Sequence, residues 1–283
     1  MSSLLSDSSI DITTNVPCPM NCRLCPQDAL KKNYSGPRFL PLEDFENVAD
    51  KIPRKVVIRF SGFSEPCLNP DFLSMIEYAS ENHRVDLYST LIGLKEEDVP
   101  RLAKVDINYF ALHIQDNLGN AHIPVNQSYK DTLIAVMKSM RIDGFSVMNE
   151  NFPNQERADN LGFKRHKRGF FSCNALRNNA WVMLPNCDVV VCCQDFGLKH
   201  CLGNLLGEGY FEVLNGEALK AVKRNRFRLG GDILCRRCKW ASNPLFYSLV
   251  DFDIAVRRFM LRHYFGNVKI RDQVIREHMG RVR

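Results

Sequence analysis

Thr13-Thr14-Asn15-Val16-Pro17-Cys18-Pro19-Met20-Asn21-Cys22-Arg23-Leu24-Cys25-Pro26 is the stretch on which the reading of this chain turns. Its cysteines are spaced C-x3-C-x2-C. Three thiolates on one tight loop can hold three irons of a 4Fe–4S cube and leave the fourth iron open to a substrate or cofactor. A closed structural zinc site takes four ligands, commonly as two separated pairs, and no fourth Cys or His follows closely. Three clustered cysteines cannot all pair among themselves, and no signal peptide precedes them.

Outward from the loop, strand and helix patterns alternate. Candidate strands are 9–14, 55–61, 84–89, 107–114 and 145–150, with a sixth candidate at 168–172. Between them Leu42, Phe45, Val48, Ala49 and Ile52 share one helical face. So do Phe72, Met75, Ile76 and Ala79, and so do Leu133, Val136, Met137 and Met140. Such alternation implies a parallel sheet with right-handed crossovers, whose sites gather at the C-terminal strand ends. The cysteine loop, the turn Ser61-Gly62-Phe63-Ser64-Glu65-Pro66, Ser89-Thr90, His113-Ile114-Gln115-Asp116 and Met148-Asn149-Glu150 all fall there. The Ser61–Pro66 turn also precedes a helix expected to start at Pro70 with Asn69 as its cap.

The C-terminal half carries Cys173, Cys187, Cys192, Cys193, Cys201, Cys235 and Cys238. Two strands around Pro185-Asn186 read as a hairpin. By strand alternation Cys192 and Cys193 point to opposite faces, so only one of them can join a shared site.

The spacing C-x3-C-x2-C and the turn ending in Glu65-Pro66 together resemble the radical S-adenosylmethionine superfamily. The turn is similar to that family's glycine-glycine-glutamate-proline element, with Ser64 in place of a glycine. The resemblance implies a partial (β/α) barrel, of which five to six parallel units are visible here. It implies a first 4Fe–4S cluster on Cys18, Cys22 and Cys25. It further implies S-adenosylmethionine contacts from Ser61, Gly62, Ser64 and Glu65 to the methionine moiety, and from Ser89, His113 and Gln115 to the nucleoside. Ser89 and Thr90 close the third strand, and His113 and Gln115 share a face.

The later cysteines, with Trp181–Asp195 and Leu202-Gly203-Asn204-Leu205 between them, resemble the twitch domain, a shorter relative of the SPASM domain. That likeness implies a second 4Fe–4S cluster on Cys173, Cys192, Cys235 and Cys238, the family pattern selecting the first residue of the Cys-Cys pair. A zinc site on Cys235 and Cys238 is the alternative. The domains expected are a barrel over 1–165, an iron–sulfur domain over 166–242 and a helical tail over 243–283. In the tail Leu249, Phe252, Val256 and Phe259 recur at helical spacing.

Such a pair of clusters implies cleavage of S-adenosylmethionine to a 5′-deoxyadenosyl radical and oxidation of a small polar substrate: a sugar, cyclitol or nucleotide-linked sugar alcohol taken to a ketone. The auxiliary cluster would accept an electron. One extra cluster on a compact chain resembles most the aminocyclitol (2-deoxy-scyllo-inosamine) dehydrogenase. A flavodoxin- or ferredoxin-type reductant is implied. The alternatives are an epimerase with Cys67 or Cys187 as hydrogen donor, and a peptide-modifying enzyme. Only seventeen residues precede Cys18, too few for a peptide-docking extension. A non-enzymatic iron–sulfur carrier or nucleic-acid module would not need the Glu65 turn. The sequence names no general base.

Composition agrees. The chain has 283 residues, 45% of them hydrophobic, and eleven cysteines. That is enough for a full core, and points to metal use in a reducing, cytoplasmic setting. No apolar run approaches the ~20 residues that span a bilayer. Charge is uneven: residues 1–159 hold 16 Lys+Arg and 22 Asp+Glu, residues 160–240 hold 14 and 6, and residues 241–283 hold 8 and 4. The basic excess fits an anionic group on the substrate, or offsets a thiolate-bound cluster. No nucleic-acid-reading motif accompanies it. Lys164-Arg165-His166-Lys167-Arg168 joins the two halves as a linker or one wall of an anion site.

Overall fold

The computed structural model describes residues 8–148 except Leu24, and residues 157–160, 169–227 and 233–241. Five parallel strands appear where alternation placed them: β1 Ser9–Ile12, β2 Val57–Phe60, β3 Val85–Ser89, β4 Ile107–Gln115 and β5 Gly144–Met148. Three more follow, β6 Ala180–Met183, β7 Asp188–Val190 and β8 Cys201–Asn204. All eight form one sheet in the order β5-β4-β3-β2-β1-β6-β7-β8.

The sixth parallel strand is β6, not 168–172. Ile10 lies opposite Trp181 and Ile12 opposite Met183, in parallel register, and the Thr13 N–H donates to Met183 O at 2.9 Å. Of the expected strand, residue 168 lies outside the described residues and the rest is irregular. Phe171 is buried there in a small cluster with Ile233 and Cys235 instead of extending the sheet. The hairpin at Pro185-Asn186 forms as expected, β6 against β7, but its first strand belongs to the barrel sheet. Asn149, Glu150, the 164–168 linker and the tail from 242 onward lie outside the described residues.

The helices between the strands are α1 Gln27–Asn33, α2 Leu42–Lys51, α3 Phe72–Asn82, α4 Val99–Leu102 and α5 Gln127–Ser139. Leu30 of α1 packs in a separate cluster with Phe63 and Phe196, while the apolar stripes of α2 to α5 cover one face of the sheet. Ile10, Ile12, Ile58, Phe60, Val85, Leu87, Phe110 and Leu112 point at them and join one core with Phe45, Phe72 and Val136. Phe60 sits between Phe45 and Phe72, with ring centroids 5.6 Å from each. α3 starts two residues later than expected, with Asp71 preceding its first residue. Asn69 is occupied elsewhere: its amide donates to Thr14 O at 2.8 Å and Leu40 O at 2.9 Å, and its oxygen accepts from the Asp71 N–H at 2.8 Å.

In the C-terminal half come α6 Asn174–Arg177, α7 Tyr210–Asn215 and α8 Glu217–Asn225. Trp181, 1% exposed, stacks 4.9 Å from Tyr210. Lys51, at the end of α2, donates to Leu205 O at 3.1 Å and Leu206 O at 2.8 Å. The two halves are thereby joined by sheet and by helix. Among the described residues no helix is long and apolar enough to cross a membrane.

Candidate functional site

Strand alternation decides what the face away from the helices carries. Ile10 and Ile12 enter the core, so Ser9, Asp11 and Thr13 turn inward. By the same logic β2 presents Arg59, β3 presents Asp86 and Tyr88, and β4 presents Tyr109, His113 and Gln115. The registers Asp11–Arg59–Asp86–Tyr109 place one polar layer across four strands.

The cysteine loop closes over the strand ends. Cys18 and Cys22 are buried and Cys25 half-buried. Gln27, 1% exposed, braces the loop from within. Its oxygen accepts from the Cys18 N–H at 3.2 Å. Its amide nitrogen donates to Phe63 O at 2.6 Å and lies 3.3 Å from Cys25 Sγ. From the other side the Arg23 N–H donates to Asn120 O at 3.0 Å, and the Cys22 thiol to Ala121 O at 2.6 Å. Burial pushes the Cys18 thiol up and the Cys22 thiol to about 12, and each feels Cys25 and Glu65 as further negative charge. Three thiolates gathered here repel one another unless cationic iron neutralises them, so the donor set fits a cluster.

The Glu65 turn sits against the same strand ends. Gly62 has φ 76°, and a Cβ there would strike Thr13 Oγ1. The Thr13 hydroxyl accepts from the Phe63 N–H at 3.1 Å, and the Ser64 hydroxyl donates to Asn15 Oδ1 at 3.1 Å. Glu65 is 4% exposed. Its carboxylate receives Ser89 Oγ at 2.6 Å, the Thr90 N–H and Oγ1 each at 2.7 Å, and the Cys67 N–H at 3.3 Å. Burial raises its pKa, against the pull of these donors. Every donor is neutral, and no cation pairs with Glu65 among the described residues. A buried carboxylate without a counter-charge suits an ammonium ligand. The Tyr129 hydroxyl, on α5, is buried without a hydrogen-bond partner among the described residues and feels the Glu65 charge. Such an orphaned group beside the turn fits a bound polar cofactor.

The other nucleoside candidates are differently employed. Ser89 is a strut: it donates to Glu65 and accepts from the Leu91 N–H at 2.8 Å. Gln115 accepts from the Ile123 N–H at 2.5 Å, tying down the loop that braces Cys22. His113 does share its face, 6.1 Å from the Tyr88 ring. Burial, then the charge of Arg157, lowers its pKa to about 4, so its imidazole is neutral.

On the inner face Asp86 accepts from Arg59 Nε at 3.2 Å and Asn108 Nδ2 at 2.7 Å. Asp11 is 4.0 Å from the Arg59 guanidinium, yet its Oδ1 has no hydrogen bond among the described residues, nor has Ser9 Oγ. Burial raises Asp11 to about 6, Arg59 opposing and Asp86 adding to the rise. Arg157 lies over Phe196 at 5.1 Å, and its buried Nε has no partner among the described residues. Cys193 feels both Asp11 and Arg157.

The second cysteine set gathers behind. Cys173, Cys192, Cys235 and Cys238 are each 9% exposed or less. Cys192 feels Cys235 and Cys173, and Cys235 feels Cys173 and Cys238. Cys192 belongs to the large core with Cys173 and Cys238. Cys193 instead packs, like Cys25, on the small apolar cluster around Phe63 and Phe196. Arg236, between Cys235 and Cys238, is fully buried and donates to Gly169 O at 3.1 Å and Asn225 O at 3.0 Å. Among the described residues no three Cys, His, Asp or Glu converge tightly enough for one metal ion. The spare thiols Cys67 and Cys187 lie in the core under the helices, away from the inner face. Cys193 is the thiol turned toward it.

Sequence reasoning missed Gln27, Tyr129, Asp11, Arg59 and Arg157. Asp11 had a signal, the alternation of Ser9-Ile10-Asp11-Ile12. Arg59 had the same signal in Ile58-Arg59-Phe60, and Gln27 stands two residues past Cys25; Tyr129 and Arg157 had none, since each owes its place to contacts distant in the chain.

Residues 12–148 match the radical SAM superfamily and residues 173–239 an iron–sulfur cluster-binding domain, SPASM. No curated protein matches significantly. Among solved structures, BtrN in complex with AdoMet and 2-DOIA is similar with a TM-score of 0.60 at 16% identity, over 84% of this chain and 93% of that one. Streptococcus suis SuiB bound to precursor peptide SuiA gives 0.54 at 15%, over 81% and 69%. anSMEcpe with bound AdoMet gives 0.52 at 12%, over 82% and 83%. At these identities the likeness is one of fold. The matched regions imply a 4Fe–4S cluster with S-adenosylmethionine in the first and further iron–sulfur chemistry in the second, and the chain carries a radical S-adenosylmethionine domain over residues 12–148 and a SPASM-type domain over residues 173–239 on the same sheet.

Proposed function

We propose that this enzyme oxidises a small polar substrate, an alcohol of a sugar or cyclitol type, to a ketone, using a first cluster on Cys18, Cys22 and Cys25 and an auxiliary cluster on Cys173, Cys192, Cys235 and Cys238. Bound S-adenosylmethionine supplies a 5′-deoxyadenosyl radical able to take a hydrogen atom from carbon. The observation that carries the reading is the inner face between the two cysteine sets. Asp11 Oδ1, Ser9 Oγ and Arg157 Nε are buried there without partners among the described residues. An acceptor on Asp11 and a donor on Arg157, both felt by Cys193, suit a compact molecule bearing hydroxyl groups. His113 also lies on that face, but burial and the charge of Arg157 lower its pKa to about 4 and make it a weak proton acceptor.

Arg59 faces Asp11 and Asp86, and Arg157 lies by His113 and Cys193, so two cations and two carboxyls nearly balance the charge of the inner face. The basic excess of residues 160–240 is therefore not a feature of this face, and an anionic group on the substrate has no support from it. A flavodoxin- or ferredoxin-type reductant remains part of the proposal. Domain limits near 1–165 and 166–242 accord with the two matched regions.

One observation favours a second reading. Cys193, not Cys67 or Cys187, faces the site and would be the hydrogen donor of an epimerase. Reaction with candidate cyclitols in deuterated water separates the two. Oxidation gives a product lighter by two hydrogens and one 5′-deoxyadenosine per turnover. Product of unchanged oxidation level, carrying one solvent deuterium that disappears in Cys193→Ser, would overturn the dehydrogenase reading.

A further inference from the structure

Gln27 is the first residue of α1 and lies immediately past Cys25-Pro26. It is 1% exposed, a long polar side chain almost wholly removed from water. Burying an amide costs stability unless its groups are all met, and here they are. Its oxygen faces the Cys18 N–H at 3.2 Å. Its nitrogen faces Phe63 O at 2.6 Å and Cys25 Sγ at 3.3 Å. A flipped amide would set N–H against N–H at Cys18 and oxygen against oxygen at Phe63, so the contacts fix the orientation. One amide thus touches two cysteines of the loop and the backbone of the Gly62–Glu65 turn.

Hydrogen bonds to ligand sulfurs are among the levers that set the potential of an iron–sulfur cluster. A donor aimed at Cys25 Sγ stabilises the form with more negative charge on sulfur, which is the reduced cluster. We propose that Gln27 is a positioning residue that raises the reduction potential of the first cluster through its N–H···S bond to Cys25 and keys the cysteine loop to the turn at Phe63. The proposal rests on Cys18, Cys22 and Cys25 being the first cluster's ligands.

The test uses the full chain, anaerobically reconstituted, in Gln27→Met and Gln27→Glu forms. Met keeps length and removes the donors; Glu keeps the acceptor for the Cys18 N–H, removes the donors and adds charge. Iron is counted, and reduction is titrated against potential by EPR. The first cluster is the one whose signal changes on adding S-adenosylmethionine. Both variants are expected to retain wild-type iron, with the midpoint of that signal more negative, further so in Gln27→Glu. The midpoint of the other cluster is expected to stay put. If Gln27→Glu loses iron, Gln27→Met decides. An unmoved midpoint in an iron-replete Gln27→Met overturns the proposal. So does loss of the first cluster from both variants, which would make Gln27 a brace alone. A Cys18→Ala, Cys22→Ala, Cys25→Ala triple variant that kept the S-adenosylmethionine-responsive signal would overturn the ligand assignment instead.

Discussion

At the scale of single residues, Asp11 and Glu65 are two buried carboxyls with different surroundings. Glu65 has four neutral donors and no counter-charge among the described residues. Glu65→Gln is expected to keep wild-type iron and to weaken S-adenosylmethionine binding about tenfold, the effect of ~1.5 kcal/mol for a lost charged acceptor. Isothermal titration of reconstituted protein checks it; undiminished affinity would leave Glu65 only as the tie to Ser89 and Thr90. Asp11 has a cation, Arg59, nearby but no hydrogen bond to its Oδ1 among the described residues. Its pKa rises on folding from 3.8 to about 6, so the folded state holds the proton more tightly than the unfolded one. Its contribution to stability is therefore most favourable below pH 4, declines as pH rises toward 6, and is flat beyond. Replacing it by Asn removes that decline. Asp11→Asn should gain about 2 kcal/mol at pH 8 relative to pH 4, measured by denaturant unfolding at both, while product formation collapses. Retained turnover would remove Asp11 from the site. Of these two residues Glu65 was legible in the sequence, because its neighbours in the chain form a motif. Asp11 was visible only as the polar half of an alternating strand, which ordinarily means solvent.

At the scale of elements, β7 ends at Val190, so Cys192 and Cys193 lie in the turn beyond it and strand alternation does not assign them to faces, contrary to the expectation from sequence. Cys192 packs in the core with Cys173 and Cys238, while Cys193 packs near Phe63 and yet exchanges charge effects with Cys173 and Cys238 as well. Cys192→Ala should lower iron from about eight per chain to about four, and Cys193→Ala should leave it unchanged; Mössbauer spectra distinguish them. The reverse pattern would hand the ligand role to Cys193. The five parallel strands and their helices were readable because apolar period and burial agree along each. The sixth was misplaced because Phe170-Phe171 suggested a strand at 168–172, whereas the apolar run 180–183 read only as one arm of a hairpin. Only the pairing of β6 with β1, a long-range contact, decides between them. The start of α3 was misread for a similar reason: Asn69 looked like a cap, yet its amide goes to Thr14 and Leu40.

At the scale of the whole molecule, two matched domains share one hydrogen-bonded sheet. A protein of two independent units would unfold in two steps. Here β1 pairs with both β2 and β6, and Lys51 of α2 binds the carbonyls after β8. Calorimetry on reconstituted protein is expected to show a single transition. A Cys235→Ala, Cys238→Ala variant should lower its midpoint without splitting it. Two resolved transitions would restore the boundary near residue 165 as a physical one. The same shared sheet fixes something else. The strand that leads into Cys18, β1, and the strand that leads toward Cys192, β7, are both paired to β6, which lies between them. The spacing of the two cysteine sets is therefore set, among the described residues, by backbone pairing. An electron passing between them in the proposed reaction would travel a set tunnelling distance, indifferent to solvent viscosity.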